Sequence, residues 1–248
     1  MTQLETEIYN RTALLVGDEG MARLQAVRVI IFGVGGVGSW CAEGLLRSGI
    51  THLTLVDADN VCISNVNRQL MATPATVGRG KVEVMRERLL EINPDACVET
   101  VQMLYSKETA SQFDLDGYDY VLDCIDSLSD KAALILHASA SKAVFFSSMG
   151  AALKMDPTKV RVAEFFDVRG CPLGAMLRKK LRREGTLPAR KFLCVYDEEV
   201  LPNKGQGEKV DESMSFGKVR TNGTLVYITA IFGFTLSGLV VRDCLGGE

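Results

Sequence analysis

The chain has 248 residues, 47% hydrophobic and 24% charged, with 23 glycines, 6 prolines and a formal net charge of -3 at pH 7. That length fits one large domain or a domain with an extension, and the apolar fraction supplies a real core, which excludes a disordered chain. The small negative charge excludes a uniformly basic nucleic-acid coat but leaves room for a local basic patch.

The opening MTQLETEIYNR is polar and acidic. It reads as neither a signal peptide nor a basic transit peptide, so the expectation is a cytoplasmic protein. Around a Gly-Asp-Glu-Gly turn, the apolar positions Leu14, Leu15, Met21 and Leu24 predict short helices in residues 1–25. Residues 27–32 (VRVIIF) are a β-branched strand run ending in glycine, and 37–47 have helical spacing. A second strand is expected at 53–56, then an amphipathic helix at 81–92 stopped by Asn93-Pro94. Strands follow at 97–102, 118–122 and 144–147, with a helix at 131–141 before the last. Short strands alternating with helices imply βαβ units. The expected fold is therefore α/β, a Rossmann-like, doubly wound and mostly parallel sheet.

The pattern changes after about residue 150, which divides the chain into a nucleotide-binding core (1–150) and a C-terminal extension (151–248) packed on it. Residues 160–166 suggest another strand, 178–191 are basic, and 197–223 are polar and glycine-rich. The last stretch is long for a loop in a compact domain, so it is functional or disordered. Residues 225–241 contain no charge, yet they are shorter than the roughly 20 residues of a spanning helix and include Thr, Ser and two glycines. Arg242 is followed at once by Asp243, so no basic flank sets a membrane orientation. The expectation is a buried or interface helix.

The sharpest local feature is Gly33-Val34-Gly35-Gly36-Val37-Gly38, which follows a strand and opens a helix. Gly33, Gly35, Gly36 and Gly38 permit a tight turn and let backbone N–H groups approach phosphates at the helix N-terminus. Asp57 ends the second strand, where a ribose hydroxyl would be accepted. On these residues alone a nicotinamide-dependent dehydrogenase is the default.

The following residues shift that default. Asp57, Asp59, Asn65, Arg68 and Gln69 fall in one short span, and Lys81 follows. A triphosphate needs such cations while pyrophosphate leaves. Asp123-Cys124-Ile125-Asp126-Ser127 closes a later strand with two carboxylates, a hard oxygen site suited to Mg²⁺ held jointly with phosphates. Together these residues favour an ATP site.

At this point a family resemblance becomes specific. The glycine turn, D-x-D (57–59), S-N-x-x-R-Q (64–69), G-x-x-K-V (78–82), D-x-x-D-S (123–127) and the leading Tyr9-Asn10-Arg11 resemble the ThiF/MoeB/HesA family. These are ATP-dependent adenylating proteins related to ubiquitin-activating enzymes. The resemblance implies that Gly35, Gly36 and Asp57 hold the nucleotide, with Asp57 on the ribose. It implies Asn65, Arg68 and Lys81 on the phosphates with Gln69 in support, and Asp126 on Mg²⁺. Arg11 would reach the phosphates of a neighbouring subunit, making a homodimer part of the active site.

Branches that activate sulfur-carrier proteins typically carry paired C-x-x-C motifs for structural zinc. The seven cysteines here, at 41, 62, 97, 124, 171, 194 and 244, form no such pair and no disulfide framework. Residues 130–135, 155–160, 194–196 and 229–234 instead resemble the tRNA threonylcarbamoyladenosine dehydratase branch. That implies ATP-driven cyclisation of a threonylcarbamoyl side chain, with tRNA rather than DNA as partner and no structural zinc. By analogy it leaves open a monovalent cation and a SufE-like sulfur acceptor. Adenylation of a small ubiquitin-like sulfur carrier is the alternative, and a nucleotide-sensing RNA-binding module without turnover is a third.

Arg178, Lys179, Lys180, Arg182, Arg183, Arg190 and Lys191 cluster in this otherwise acidic chain. Such a patch gives sequence-independent, salt-sensitive RNA affinity, whereas an ordinary charge run is only a solvated helix face. Cys194 and Cys124 read as packing cysteines, since nothing nearby marks a low thiol pKa. His52 and His137 lack metal-ligand partners, and Trp40 reads as a core residue.

Overall fold

The computed structural model describes residues 2–205 and 222–247. Helix α1 (Gln3–Ile8) opens on a capping box between Thr2 and Glu5, and α2 (Asn10–Ala26) is broken at Gly17, whose φ is 72°. The expected helical N-terminus and its glycine break are both present.

Seven strands then form one sheet: β1 (Arg28–Phe32), β2 (His52–Val56), β3 (Cys97–Val101), β4 (Tyr120–Asp123), β5 (Val144–Ser148), β6 (Arg161–Glu164) and β7 (Leu193–Tyr196). Their order is β3-β2-β1-β4-β5-β7-β6, parallel throughout except for β6, which runs antiparallel to β7 at the edge. In register, Val29 of β1 lies between Leu53 of β2 and Tyr120 of β4. β1 and β2 each begin with one exposed residue and bury the next four, because both faces of a parallel sheet are covered.

On one face α3 (Gly38–Arg47), α4 (Lys81–Ile92) and α7 (Val226–Cys244) bring Leu45, Leu46, Val82, Phe232 and Leu236 onto Leu53 and Leu55. On the other, α5 (Leu128–Ala140) and α6 (Pro172–Arg183) bury Leu134, Ile135, Leu177 and Leu181 with Phe145 and Phe165. The segment after residue 150 thus supplies the last two strands of the same sheet and a helix on each face.

Helix α7 is long and apolar enough to cross a membrane by length and composition. Its packing explains that composition, because it lies along α3 at very close range. A Cβ at Gly233 would sit 2.6 Å from the Val37 carbonyl oxygen, and one at Gly44 would sit 2.7 Å from Ser237 Oγ. The outer face of α7 still exposes Tyr227 and Phe234.

Two elements escape sequence reading. β7 is four residues long between basic and polar stretches, and α6 hides its buried Gly174, Leu177 and Leu181 among charges. Most of the expected 197–223 loop, residues 206–221, lies outside the described residues.

Candidate active site

The strand order turns back on either side of β1, so a crevice opens beyond the carboxyl ends of β1, β2 and β4. Gly33 leaves β1 with φ 90°, its N–H donating to Val56 O at 2.8 Å, while Cys124 N–H donates to Phe32 O at 2.8 Å. A Cβ on Gly38 would overlap the Gly33 carbonyl oxygen, so the turn closes only around glycine. Above Gly35 the space is open, with Gln69 Nε2 as its nearest neighbour.

Asp57 fixes this turn. Its carboxylate accepts Val34 N–H at 2.7 Å and Asp59 N–H at 2.9 Å. Burial raises its pKa, while Lys81 and the two amides pull it back. Lys81, itself buried, donates to Asp59 Oδ2 at 2.7 Å and stands 4.0 Å from Asp57 Oδ1. Asn65 is buried, and its Oδ1 accepts Cys62 N–H at 3.0 Å, bracing the short 3-10 turn Ile63–Asn65. Gln69 is also buried, and among the described residues its Oε1 finds no hydrogen-bond partner. The same side chain turns its Nε2 toward Gly35.

Arg68 is half-buried, its guanidinium donating to Ser64 O at 2.8 Å and Asn67 Oδ1 at 3.0 Å. Burial lowers its pKa, and the nearby charge of Asp126 acts in the opposite direction. Trp40 is not the simple core filler that sequence suggests. It is half-buried against the edge of Phe234, and its indole N–H donates to Arg68 O at 3.1 Å.

The two carboxylates ending β4 do different things. Asp126 is exposed at the crevice. Asp123 is fully buried, with Lys131 Nζ at 2.7 Å, Ser147 Oγ at 2.7 Å and Ile125 N–H at 3.0 Å. That corrects the expectation of a two-carboxylate metal site, because the Asp123 oxygens are already committed. Lys131 also donates to Ile125 O at 2.9 Å, so the pair holds the backbone that carries Asp126. Sequence reading missed Lys131 and Ser147 in this role. Among the described residues no three His, Cys, Asp or Glu side chains gather into a metal site. A single carboxylate does fit Mg²⁺ that takes its other ligands from phosphates and water.

Arg11 is exposed on α2 and joins none of these hydrogen bonds. The basic cluster is divided. Arg178 donates to Phe165 O and lies over the Phe165 ring, and Arg190 donates to Ala143 O. Lys180 pairs with Glu184, while Lys179, Arg182, Arg183 and Lys191 are exposed. Helix α6 starts beside Gly150, just past β5. Its twelve residues span about 18 Å, with the basic residues gathered in the last turns.

Cys194 is buried with its thiol pushed well up, and the Cys124 thiol is pushed up to about 12 by burial and then by Asp123. Neither provides a thiolate nucleophile. His137 bonds the Tyr105 hydroxyl at 2.9 Å, its pKa lowered by burial, and His52 is exposed on a strand end.

Comparison with known proteins bears on the whole chain. The model of the ThiF family matches residues 9–239. A tRNA threonylcarbamoyladenosine dehydratase of Bacillus subtilis is 36% identical over 239 residues, covering 96% of this chain and 94% of the relative. The crystal structure of the Escherichia coli tRNA N6-threonylcarbamoyladenosine dehydratase in complex with ATP superposes with a TM-score of 0.85. Its sequence identity is 32%, and 99% of this chain and 96% of that one are covered. The Escherichia coli molybdopterin-synthase adenylyltransferase is 36% identical, but over 150 residues, 60% of this chain and 59% of its own.

Proposed function

The chain belongs to the ThiF family, and from that membership we propose that it is an ATP-dependent tRNA threonylcarbamoyladenosine dehydratase. The observation that carries this reading is likeness to such a dehydratase over 96% of the chain, against 60% for a sulfur-carrier adenylyltransferase. Residues 1–150 would form the adenylating core, and 151–248 would supply the acceptor side.

ATP would lie over the Gly33–Gly38 turn, its phosphates at the N-terminus of α3, where backbone N–H groups and the helix dipole favour negative charge. Asp57 retains lone pairs for a ribose hydroxyl beyond the two amides it already accepts. A carboxylate oxygen of the threonylcarbamoyl group attacks the α-phosphorus, and the bond to pyrophosphate breaks. Arg68 and Lys81 neutralise the charge that develops there, with Asn65 and Gln69 lining the same wall. The carbamoyl group then attacks the activated carboxyl carbon and loses a proton. AMP departs with the former carboxylate oxygen, so the nucleoside loses one water overall. Asp126 would hold Mg²⁺ together with phosphate oxygens, and the ion would add to that charge neutralisation. A second copy of the chain would bring Arg11 to the phosphates. Lys179, Arg182, Arg183 and Lys191 would give salt-sensitive contacts to the tRNA backbone. The reaction would take place in the cytoplasm.

The test is a nucleoside mass analysis of tRNA carrying uncyclised threonylcarbamoyladenosine, incubated with protein, ATP and Mg²⁺. The expected result is ATP-dependent loss of one water, abolished in Arg68→Ala. No loss, together with ATP–pyrophosphate exchange provoked by a carrier protein ending in Gly-Gly, would overturn the reading in favour of carrier adenylation.

A further inference from the structure

Beyond β5 the chain makes a feature that the adenylation chemistry does not use. Leu153 has φ 63°, a left-handed conformation that no other non-glycine residue adopts among those described. Leucine enters that region only when its surroundings impose it. Here they do: Leu153 N–H donates to Gly223 O at 2.9 Å, and Leu153 O accepts Leu201 N–H at 2.8 Å. One residue thus bonds both described stems of the polar loop, 197–205 and 222–227.

The neighbouring residues repeat the pattern. The Lys154 ammonium is 3% exposed and donates to Asp197 O at 2.8 Å and Glu199 O at 2.6 Å. The Glu199 carboxylate returns to Met155 N–H at 2.6 Å, Asp156 N–H at 3.1 Å and Lys159 Nζ at 3.0 Å. Tyr227 O–H, in the first turn of α7, donates to Met155 O at 2.9 Å. The stems also meet directly, Gly223 N–H donating to Asn203 Oδ1 at 2.8 Å. A buried ammonium spent on main-chain carbonyls is an anchor for backbone, since an apolar side chain there would leave those carbonyls unpaired.

The second stem leads to the crevice. Thr224 O accepts Asn67 Nδ2–H at 3.2 Å, and Asn67 Oδ1 accepts the Arg68 guanidinium at 3.0 Å. Hydrogen bonds and the peptide links between them therefore run from Leu153 through Gly223 and Thr224 to Arg68, while Lys154 holds the first stem, which meets the second at Asn203 and Gly223.

We infer that residues 153–156 are a clamp on the stems of the polar loop, and that Lys154, by holding the first stem against the second at Asn203 and Gly223, is a positioning residue orienting Arg68 through Thr224 and Asn67. The inference rests on the adenylation reading only for its effect on turnover, because the clamp itself is read by backbone protection. Arg68 must be aimed before phosphate charge develops, and without Asn67 the guanidinium keeps its bond to Ser64 O and loses half of its aim.

The experiment combines hydrogen exchange with kinetics on the full-length Lys154→Met, Asn67→Ala and double variants. In Lys154→Met, exchange should rise about tenfold in peptides covering 222–227 and 64–69, not only in 197–203. Asn67→Ala should leave both stems protected while turnover falls about tenfold. The double variant should lose no more turnover than the worse single variant, whereas merely structural losses would multiply. Faster exchange confined to 197–203, or wild-type turnover in Asn67→Ala, overturns the inference. If Lys154→Met does not fold, Asn67→Ala decides alone. A wild-type protein without dehydration activity would instead refute the proposed reaction, with the exchange data still judging the clamp.

Discussion

The exits of β2 and β4 carry two lysine–carboxylate pairs with the same 2.7 Å separation and opposite relations to water. At β4, Lys131 and Asp123 are both 0% exposed. At β2, Lys81 is 7% exposed while its partner Asp59 is 51% exposed. Distance alone would rank them equal. Burial separates them, because a dry pair without one partner leaves a charge that nothing solvates, while a half-wet pair exchanges its partner for water or a phosphate. The β4 pair therefore holds the loop that carries Asp126, and the β2 pair sets a lysine beside Asp57 with its partner carboxylate open to water.

The strongest way to break this comparison is Lys131→Met. It should destabilise the protein by about 3–5 kcal/mol, measured as a lowered urea midpoint, because Asp123 is left charged and unpaired in the core. A loss below about 1 kcal/mol would mean that Asp123 is already compensated without the lysine. Next comes Lys81→Ala. It should cost less than Lys131→Met in the same denaturation assay, because Asp59 is half exposed and Asp57 keeps its two amide donors. Turnover in the nucleoside assay should fall about 100- to 1000-fold, as when one preorganised partner of developing charge is removed. A large stability loss with little kinetic effect would make Lys81 structural, like Lys131.

The same contrast explains what was legible in the sequence. The glycine turn, Asp57, Arg68, Gln69 and Lys81 lie in contiguous motifs at strand exits, where local spacing already places them along one crevice. Asp123 and Asp126 look alike in sequence, since what separates them is Lys131 on α5 and Ser147 on β5. The basic cluster looks continuous from Arg178 to Lys191, yet Arg178 and Arg190 are drawn to main-chain carbonyls. That division depends on where Phe165 and Ala143 fall after folding. The clamp was invisible for the same reason, because Lys154 meets residues more than 40 positions away. Strand β7 was hidden by its length, and α6 by charges flanking Leu177 and Leu181.

A third pair exposes its lysine rather than its carboxylate and gives the smallest effect. Lys159 is 41% exposed and lies 3.0 Å from Glu199, itself 12% exposed. The amides of Met155 and Asp156, with Lys159, hold the Glu199 carboxyl down to about 2 from an ordinary 4.5. A carboxyl depressed in the folded state contributes stability that is complete above pH 4.5 and is lost as pH falls toward 2. Glu199→Gln should therefore lower the urea midpoint at pH 6, and the gap from wild type should close as pH falls to 3 and below. Asp156 is also held below its ordinary value, by Thr158, and stays so in the variant, so the variant keeps part of its own acid sensitivity. A gap of the same size at both pH values would show that Glu199 acts through its shape and hydrogen bonds. Its charge would then have no part in holding the stem, and the contrast between buried and half-wet pairs would rest on Lys131 and Lys81 alone.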